Sequence, residues 1–228
     1  MVGGRRLLKE ARARWRGQPR LDFEGPRPDV AAWFEGKSFT TDWLGSKLDP
    51  WLAALAPFRD KPIQVLELGA FEGRSAIAFL EYLPLSHVSS VDRFVFVTKH
   101  AIGSDGLTVE ERFDANLKPY GARITKIKGS VLSVLDDLAR NRSRFDVIYI
   151  DAGKQRDSVF ANTAAAWPLL KVDGIIMWDD LDWGSKLPSA DRPGDAIRLF
   201  ARSFAPCLDI LHQRSQLIAR KTSDWPSV

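Results

Sequence analysis

The chain has 228 residues, 45% of them hydrophobic, which is enough to bury a substantial core and suits one large domain. Its one cysteine, Cys207, excludes an internal disulfide framework and a multi-cysteine zinc site. No apolar run approaches the roughly 18 residues of a membrane span and no signal-peptide core is visible, so the expectation is a soluble, cytoplasmic protein.

The pI near 9.3 invites a nucleic-acid reading, but the charge is local. Residues 1–20 carry a net +6 and the remainder a net −2. The basicity therefore belongs to an N-terminal arm, read as a solvated or subunit-contact helix, with polyanion or membrane-surface binding as the alternative. On this division nucleic acid is not the expected partner, and a homo-oligomer stays open.

Residues 21–60 read as a helical lead-in or cap. Pro26 and Pro28 mark a loop, a short helix surrounds AAWFEG, and DWLGSKLDPWLAALAPF (42–58) has apolar residues at helical spacing, interrupted by Pro50. From residue 61 to 228 strands and helices alternate. IQVLEL (63–68), HVSSVD (87–92), RITKIKG (123–129), FDVIYID (145–151) and GIIMWDD (174–180) read as strands. Helices are predicted over 73–83, 109–121, 130–141, 158–170 and 194–204, with Ser130 as an N-cap, and LDILH and QLIARK read as two final strands. Such Val- and Ile-rich strands imply an α/β fold, a doubly wound and mostly parallel seven-stranded sheet with helices on both faces.

In an open parallel sheet ligands sit outside the carboxyl ends of the strands, so the residues after each strand carry the argument. The first strand ends ELGAFEGRS. Gly69 permits a turn closed to other residues, and Gly73 lets the next helix pack close and presents backbone N–H groups. The second strand ends at Asp92, 23 residues beyond Gly69, where a carboxylate can accept both hydroxyl hydrogens of an adenosine ribose. Phe71 stands where a dinucleotide fingerprint has glycine and crowds a pyrophosphate, which argues against a nicotinamide enzyme.

ELGAFEGRS resembles the first motif of class I S-adenosylmethionine-dependent methyltransferases, especially the catechol O-methyltransferase type, and the resemblance runs over roughly residues 63–221 of a Rossmann-like chain. It implies that Glu67, Gly69, Ala70, Phe71, Gly73 and Ser75 hold the methionine half of S-adenosyl-L-methionine. It places Asp92 at the ribose and Ser130 at the adenine, and counts Arg93 and Asp151 among the cofactor-binding residues. For Ser130 a purely capping role is the alternative.

Asp151 ends the fourth strand, Lys154 follows three residues later, and Asp179 and Asp180 end the fifth. Neighbouring strand ends bring these carboxylates together, and like charges concentrated in a cleft call for a cation or a proton. Hard oxygen ligands suggest Mg²⁺. The pattern is similar to metal-dependent O-methyltransferases, including a bacterial branch acting on sugars and macrolides, and implies Asp151, Asp179 and Asp180 as metal ligands. A structural acid pair at Asp179 and Asp180 is the alternative, and Asp182 an outside candidate.

Two departures stand against that branch. Asp151-Ala152-Gly153-Lys154 replaces Asp-Gly-Ser-His, so the usual His base is absent, and LLKVDG replaces a Leu-Lys-Pro-Gly-Gly pattern. Lys154 matches the catechol-type lysine that accepts the hydroxyl proton, which requires its pKa to be lowered by burial and a nearby cation; a salt bridge to Asp151 is the alternative. Trp33, Trp43, Trp51, Trp178 and Trp183 are divided between core and an aromatic wall, and His100 is a candidate for a loop over the site. The expected function is methyl transfer to a hydroxyl of a small-molecule acceptor, a sugar, natural product or phenol. The alternatives are a non-catalytic S-adenosylmethionine-binding or assembly protein, a nucleic-acid-directed methyltransferase using the arm, and a NAD-dependent enzyme.

Overall fold

The computed structural model describes residues 19–95, 103 and 105–224; the arm through residue 18, and His100, lie outside them. Seven strands form one sheet: β1 (Gln64–Leu68), β2 (His87–Asp92), β3 (Ile124–Lys128), β4 (Phe145–Ile150), β5 (Leu170–Trp178), β6 (Leu208–Gln213) and β7 (Leu217–Lys221). Their order is β3-β2-β1-β4-β5-β7-β6. β1 to β5 pair in parallel, and β7 runs antiparallel to both β5 and β6. The helices among the described residues are α1 (Val30–Trp33), α2 (Leu48–Leu55), α3 (Arg74–Tyr82), α4 (Val109–Leu117), α5 (Val131–Arg140), α6 (Arg156–Ala166) and α7 (Pro193–Ser203).

Parallel strands need crossover connections, and the amphipathic helices supply them while covering both faces. Successive strand residues point to opposite sides. Val65, Val147, Tyr149, Ile175 and Met177 therefore meet Trp33 and Trp51 of the lead-in, Phe79 of α3 and Phe113 of α4. Leu66, Leu68, Ile148, Ile150, Ile176 and Trp178 meet Leu135 of α5, Val159 of α6 and Ile197 and Phe200 of α7. The lead-in is part of the core: Trp51 stacks on Phe79 with ring centroids 4.8 Å apart. Its indole N–H donates to Gln216 Oε1 at 2.9 Å.

The predicted helix over 42–58 is shorter than the apolar spacing suggests. Asp42 Oδ1 accepts the backbone N–H groups of Leu44 and Gly45 at 3.1 and 2.9 Å, a local turn that competes with helix. A single 3₁₀ turn, Gly45–Lys47, then leads into α2. None of the helices, among the described residues, is long and apolar enough to cross a membrane.

Chain order reverses at β1, which lies between β2 and β4, so a crevice opens outside the carboxyl ends of these strands. Backbone bonds continue past the strand ends and hold the tips together. Gly69 N–H donates to Val91 O at 2.8 Å, Asp151 N–H to Leu68 O at 2.8 Å, and Asp179 N–H to Ile150 O at 3.0 Å.

Candidate active site

The chain leaves β1 at Gly69 with φ +96°, and a Cβ there would stand 2.4 Å from the carbonyl oxygen of Asp151. Glycine is what lets the tips of β1 and β4 close on one another. Phe71 takes φ +48°, a left-handed conformation costly for a residue with a side chain. Two contacts hold it: its N–H donates to Asp92 Oδ2 at 2.9 Å, and its ring lies on Trp43 with centroids 5.1 Å apart. Asp92 Oδ1 accepts the N–H of Phe94 at 2.8 Å. Asp92 thus ties the glycine turn to the loop after β2 while its carboxylate lines the crevice.

Gly69, Ala70, Phe71, Ser75, Asp92, Arg93, Ser130 and Asp151 line one continuous cleft of about 880 Å³, within the usual range for ligand sites. Ser130 occupies the N-cap position of α5, but its hydroxyl makes no capping bond. Glu67 and Gly73 are not among the residues lining the cleft. A Cβ on Gly73 would meet the Leu117 and Phe113 side chains at 2.2 and 3.1 Å, so that glycine serves the packing of α4.

Glu67 is fully buried and accepts hydroxyl hydrogens from Ser75 and, at 2.5 Å, from Ser90. Burial pushes its carboxyl up to about 7; the two serines oppose this, and Asp92 and Asp151 add to it. Between the ordinary glutamate value and about 7 the folded chain binds more protons than the unfolded chain. The acid's contribution to stability is therefore full below the ordinary value and is lost as pH rises through about 7. The whole effect is of the order of 3 kcal/mol. Glu67→Gln removes this dependence: its urea midpoint should fall less between pH 5 and pH 8 than that of the parent chain, and equal slopes would refute the assignment.

On the same cleft, oxygens of Asp151, Asp179 and Asp180 lie within 4.8 Å of one another, the group among the described residues that could hold a metal ion. Asp180 adopts φ +60°, a strained conformation of the kind that concentrates at functional sites. Hydrogen-bonding groups converge on the acids. Lys47 Nζ donates to both oxygens of Asp179 at 2.5 and 2.7 Å, and Gln216 Nε2 donates to Asp179 Oδ1 at 3.2 Å. The Tyr149 hydroxyl stands 3.3 Å from Asp151 and 3.4 Å from Asp179. Lys154 Nζ donates to Asp151 at 3.2 Å and also to Asp180. Asp182 stands apart, paired with Arg198 at 2.7 Å. Three hard carboxylate donors in one place fit a divalent ion such as Mg²⁺.

Burial pushes Asp151 up to about 7; the Lys154 charge opposes the rise, and Asp179 and Asp180 reinforce it. For Lys154 burial acts downward, but the charges of Asp151 and Asp180 outweigh it and hold the ammonium above the ordinary lysine value. Lys154 is thus a hydrogen-bond donor to both acids.

The tryptophans divide by depth. Trp33, Trp51 and Trp178 are buried, whereas Trp43 and Trp183 are about half exposed and line the cleft. The Trp183 ring faces the Lys154 ammonium at 5.9 Å. Sequence reasoning missed Lys47, Gln216 and Tyr149. Tyr149 carried the one available signal, a polar tip flanked by Val147, Ile148 and Ile150 in the strand, and a buried tyrosine hydroxyl usually finds a partner.

A family described as a methyltransferase domain matches residues 66–181. Among curated proteins, O-methyltransferase hkm8 of Aspergillus hancockii is 27% identical over 135 residues, covering 57% of this chain and 47% of its own. O-methyltransferase ankF of Aspergillus thermomutatus is 28% identical over 152 residues, covering 67% and 59%. The chain thus spans about half to three-fifths of the length of these relatives. Among solved structures, the O-methyltransferase from Bacillus cereus in complex with SAH superposes with a TM-score of 0.57 at 18% identity, covering 94% of this chain and 90% of that one. MycE of the mycinamycin biosynthetic pathway, in complex with Mg, SAH and mycinamycin VI, gives a TM-score of 0.58 at 18% identity, covering 89% of this chain and 57% of that one.

Proposed function

The chain belongs to the methyltransferase domain family, and from that premise we propose that it is an S-adenosylmethionine-dependent O-methyltransferase acting on a hydroxyl of a small molecule. The observation that carries the reading is one cleft lined both by a glycine turn with Asp92 beside it and by three carboxylates, Asp151, Asp179 and Asp180. The relatives named as O-methyltransferases support it. So does MycE, whose structure holds Mg and SAH.

When bound, S-adenosylmethionine supplies a methyl group already activated on a cationic sulfur, which leaves the protein to align the acceptor and remove its proton. Asp151, Asp179 and Asp180 are the residues that would hold a divalent ion, and such an ion supplies Lewis-acid activation of a hydroxyl. The chain's own residues do the rest. The turn at Gly69–Phe71 and the Asp92 carboxylate orient the cofactor, and Trp43 and Trp183 form walls that keep water from the acceptor. Asp151 receives the hydroxyl proton on a carboxylate oxygen, and Lys154 holds that carboxylate toward Asp180. The setting we propose is the cytoplasm, with which a chain of a single cysteine is compatible.

The test has two stages. Calorimetry should show the purified chain binding S-adenosylmethionine and S-adenosylhomocysteine, and methyl-labelled cofactor should then pass label to a hydroxyl of some member of a panel of sugars, phenols and macrolides. Absence of binding to both compounds refutes the reading. Binding with no transfer to any panel member, when the same panel serves a control methyltransferase, favours a binding protein.

A further inference from the structure

Lys47 is not used in the proposed proton transfer, yet its ammonium donates to both oxygens of Asp179 in the acid cluster. It closes the 3₁₀ turn Gly45–Lys47 at the end of a strap, residues 38–47, much of which lines the cleft. The strap is fastened along its length. Ser38 N–H donates to Asn116 at 2.9 Å, Thr40 N–H and Oγ1 donate to Glu72 at 2.7 and 2.8 Å, and Arg74 donates to Asp42 at 2.9 Å. Lys47 supplies the last fastening, in the fork of Asp179, with side-chain exposures of 18% and 4% for the two residues.

The geometry points to exclusion. A divalent ion the size of Mg²⁺ binds carboxylate oxygens at about 2.1 Å, and an ammonium already 2.5 and 2.7 Å from both Asp179 oxygens fills the volume between them. Burial leaves this contact weakly screened, so the two positive charges repel strongly if both remain.

We propose that Lys47 is an internal counter-cation of the acid cluster, holding the fork of Asp179 so that a divalent ion and the Lys47 ammonium exclude one another there, and that ion entry frees the Lys47 end of the strap. The proposal rests on the reading of Asp151, Asp179 and Asp180 as a cation site. It makes Lys47 a positioning residue that sets ion affinity from 132 residues away in the chain.

Mn²⁺ binding followed by electron paramagnetic resonance, without cofactor or acceptor, tests it on the full chain. Lys47→Met should bind Mn²⁺ at least about tenfold more tightly than the parent, as removal of one weakly screened positive charge implies. Lys47→Arg, which keeps the charge, should stay within about threefold of the parent. Hydrogen exchange over residues 38–48 should rise on Mn²⁺ saturation in the parent and stay unchanged in Lys47→Met. Equal Mn²⁺ affinity in parent and Lys47→Met overturns the proposal alone. No Mn²⁺ binding by either overturns it together with the cation reading, while leaving S-adenosylmethionine binding and transfer untouched. If Lys47→Met fails to fold, the hydrogen-exchange response of the parent decides: no rise on Mn²⁺ saturation overturns the proposal.

Discussion

Asp151→Asn is expected to lose about 10²- to 10⁴-fold in kcat, the usual worth of a positioned proton acceptor, while binding S-adenosylmethionine within about threefold of the parent chain. Asn keeps the shape of the side chain and removes the carboxylate that stands at the tip of β4, 3.2 Å from Lys154 Nζ. Two companion variants separate the ways this loss can arise. On the proposed assignment Lys154→Met should cost only about tenfold, because Lys154, shared between Asp151 and Asp180, then positions the acceptor and does not take the proton. A Lys154→Met loss as large as that of Asp151→Asn, together with a small loss in Asp151→Asn, makes Lys154 the base after all. Asp179→Asn removes a candidate ion ligand without touching the proposed acceptor. If it matches Asp151→Asn in kcat, and added Mg²⁺ at high concentration restores both, the carboxylates act through the ion and proton acceptance by Asp151 is refuted.

What the sequence made legible follows from where α/β sheets place their chemistry. A glycine directly after an apolar strand and acids directly after three others are readable, because a strand end in a parallel sheet fixes its position relative to its neighbours. Gly69, Asp92, Asp151, Asp179 and Asp180 all fall on the cleft for that reason. Side chains that reach the site from elsewhere carry no such marker. Lys47 and Gln216 converge on Asp179 only through the packing of α2 under the sheet and the return of β7 beside β5, and no local spacing records either event. The same limit explains the tryptophans. Trp43 and Trp51 lie eight residues apart in one segment, yet the turn made by Asp42 leaves one about half exposed on the cleft and turns the other against Phe79. The left-handed Phe71 and Asp180 were also invisible: strain of this kind is fixed by partners such as Asp92 and Trp43, not by the residue's own preference.

Asp92→Ala is expected to weaken S-adenosylhomocysteine binding by about 10²- to 10⁴-fold, since each hydrogen bond to a charged group is worth about 1.5–3 kcal/mol and the ribose offers two hydroxyls. The structure also supplies a rival cause. Asp92 holds the N–H groups of Phe71 and Phe94 at 2.9 and 2.8 Å, so its removal loosens the strained turn as well as deleting a ligand contact. A double-mutant cycle with the 2′-deoxy analogue of S-adenosylhomocysteine separates the two, because the coupling energy isolates the shared contact. If the carboxylate engages the ribose, the parent chain discriminates against the deoxy compound by tenfold or more and Asp92→Ala loses that discrimination, whatever the loosened turn costs both ligands alike. If both proteins discriminate equally, Asp92 acts on the cofactor only by shaping the turn at Phe71, and the ribose finds its partner elsewhere along the cleft.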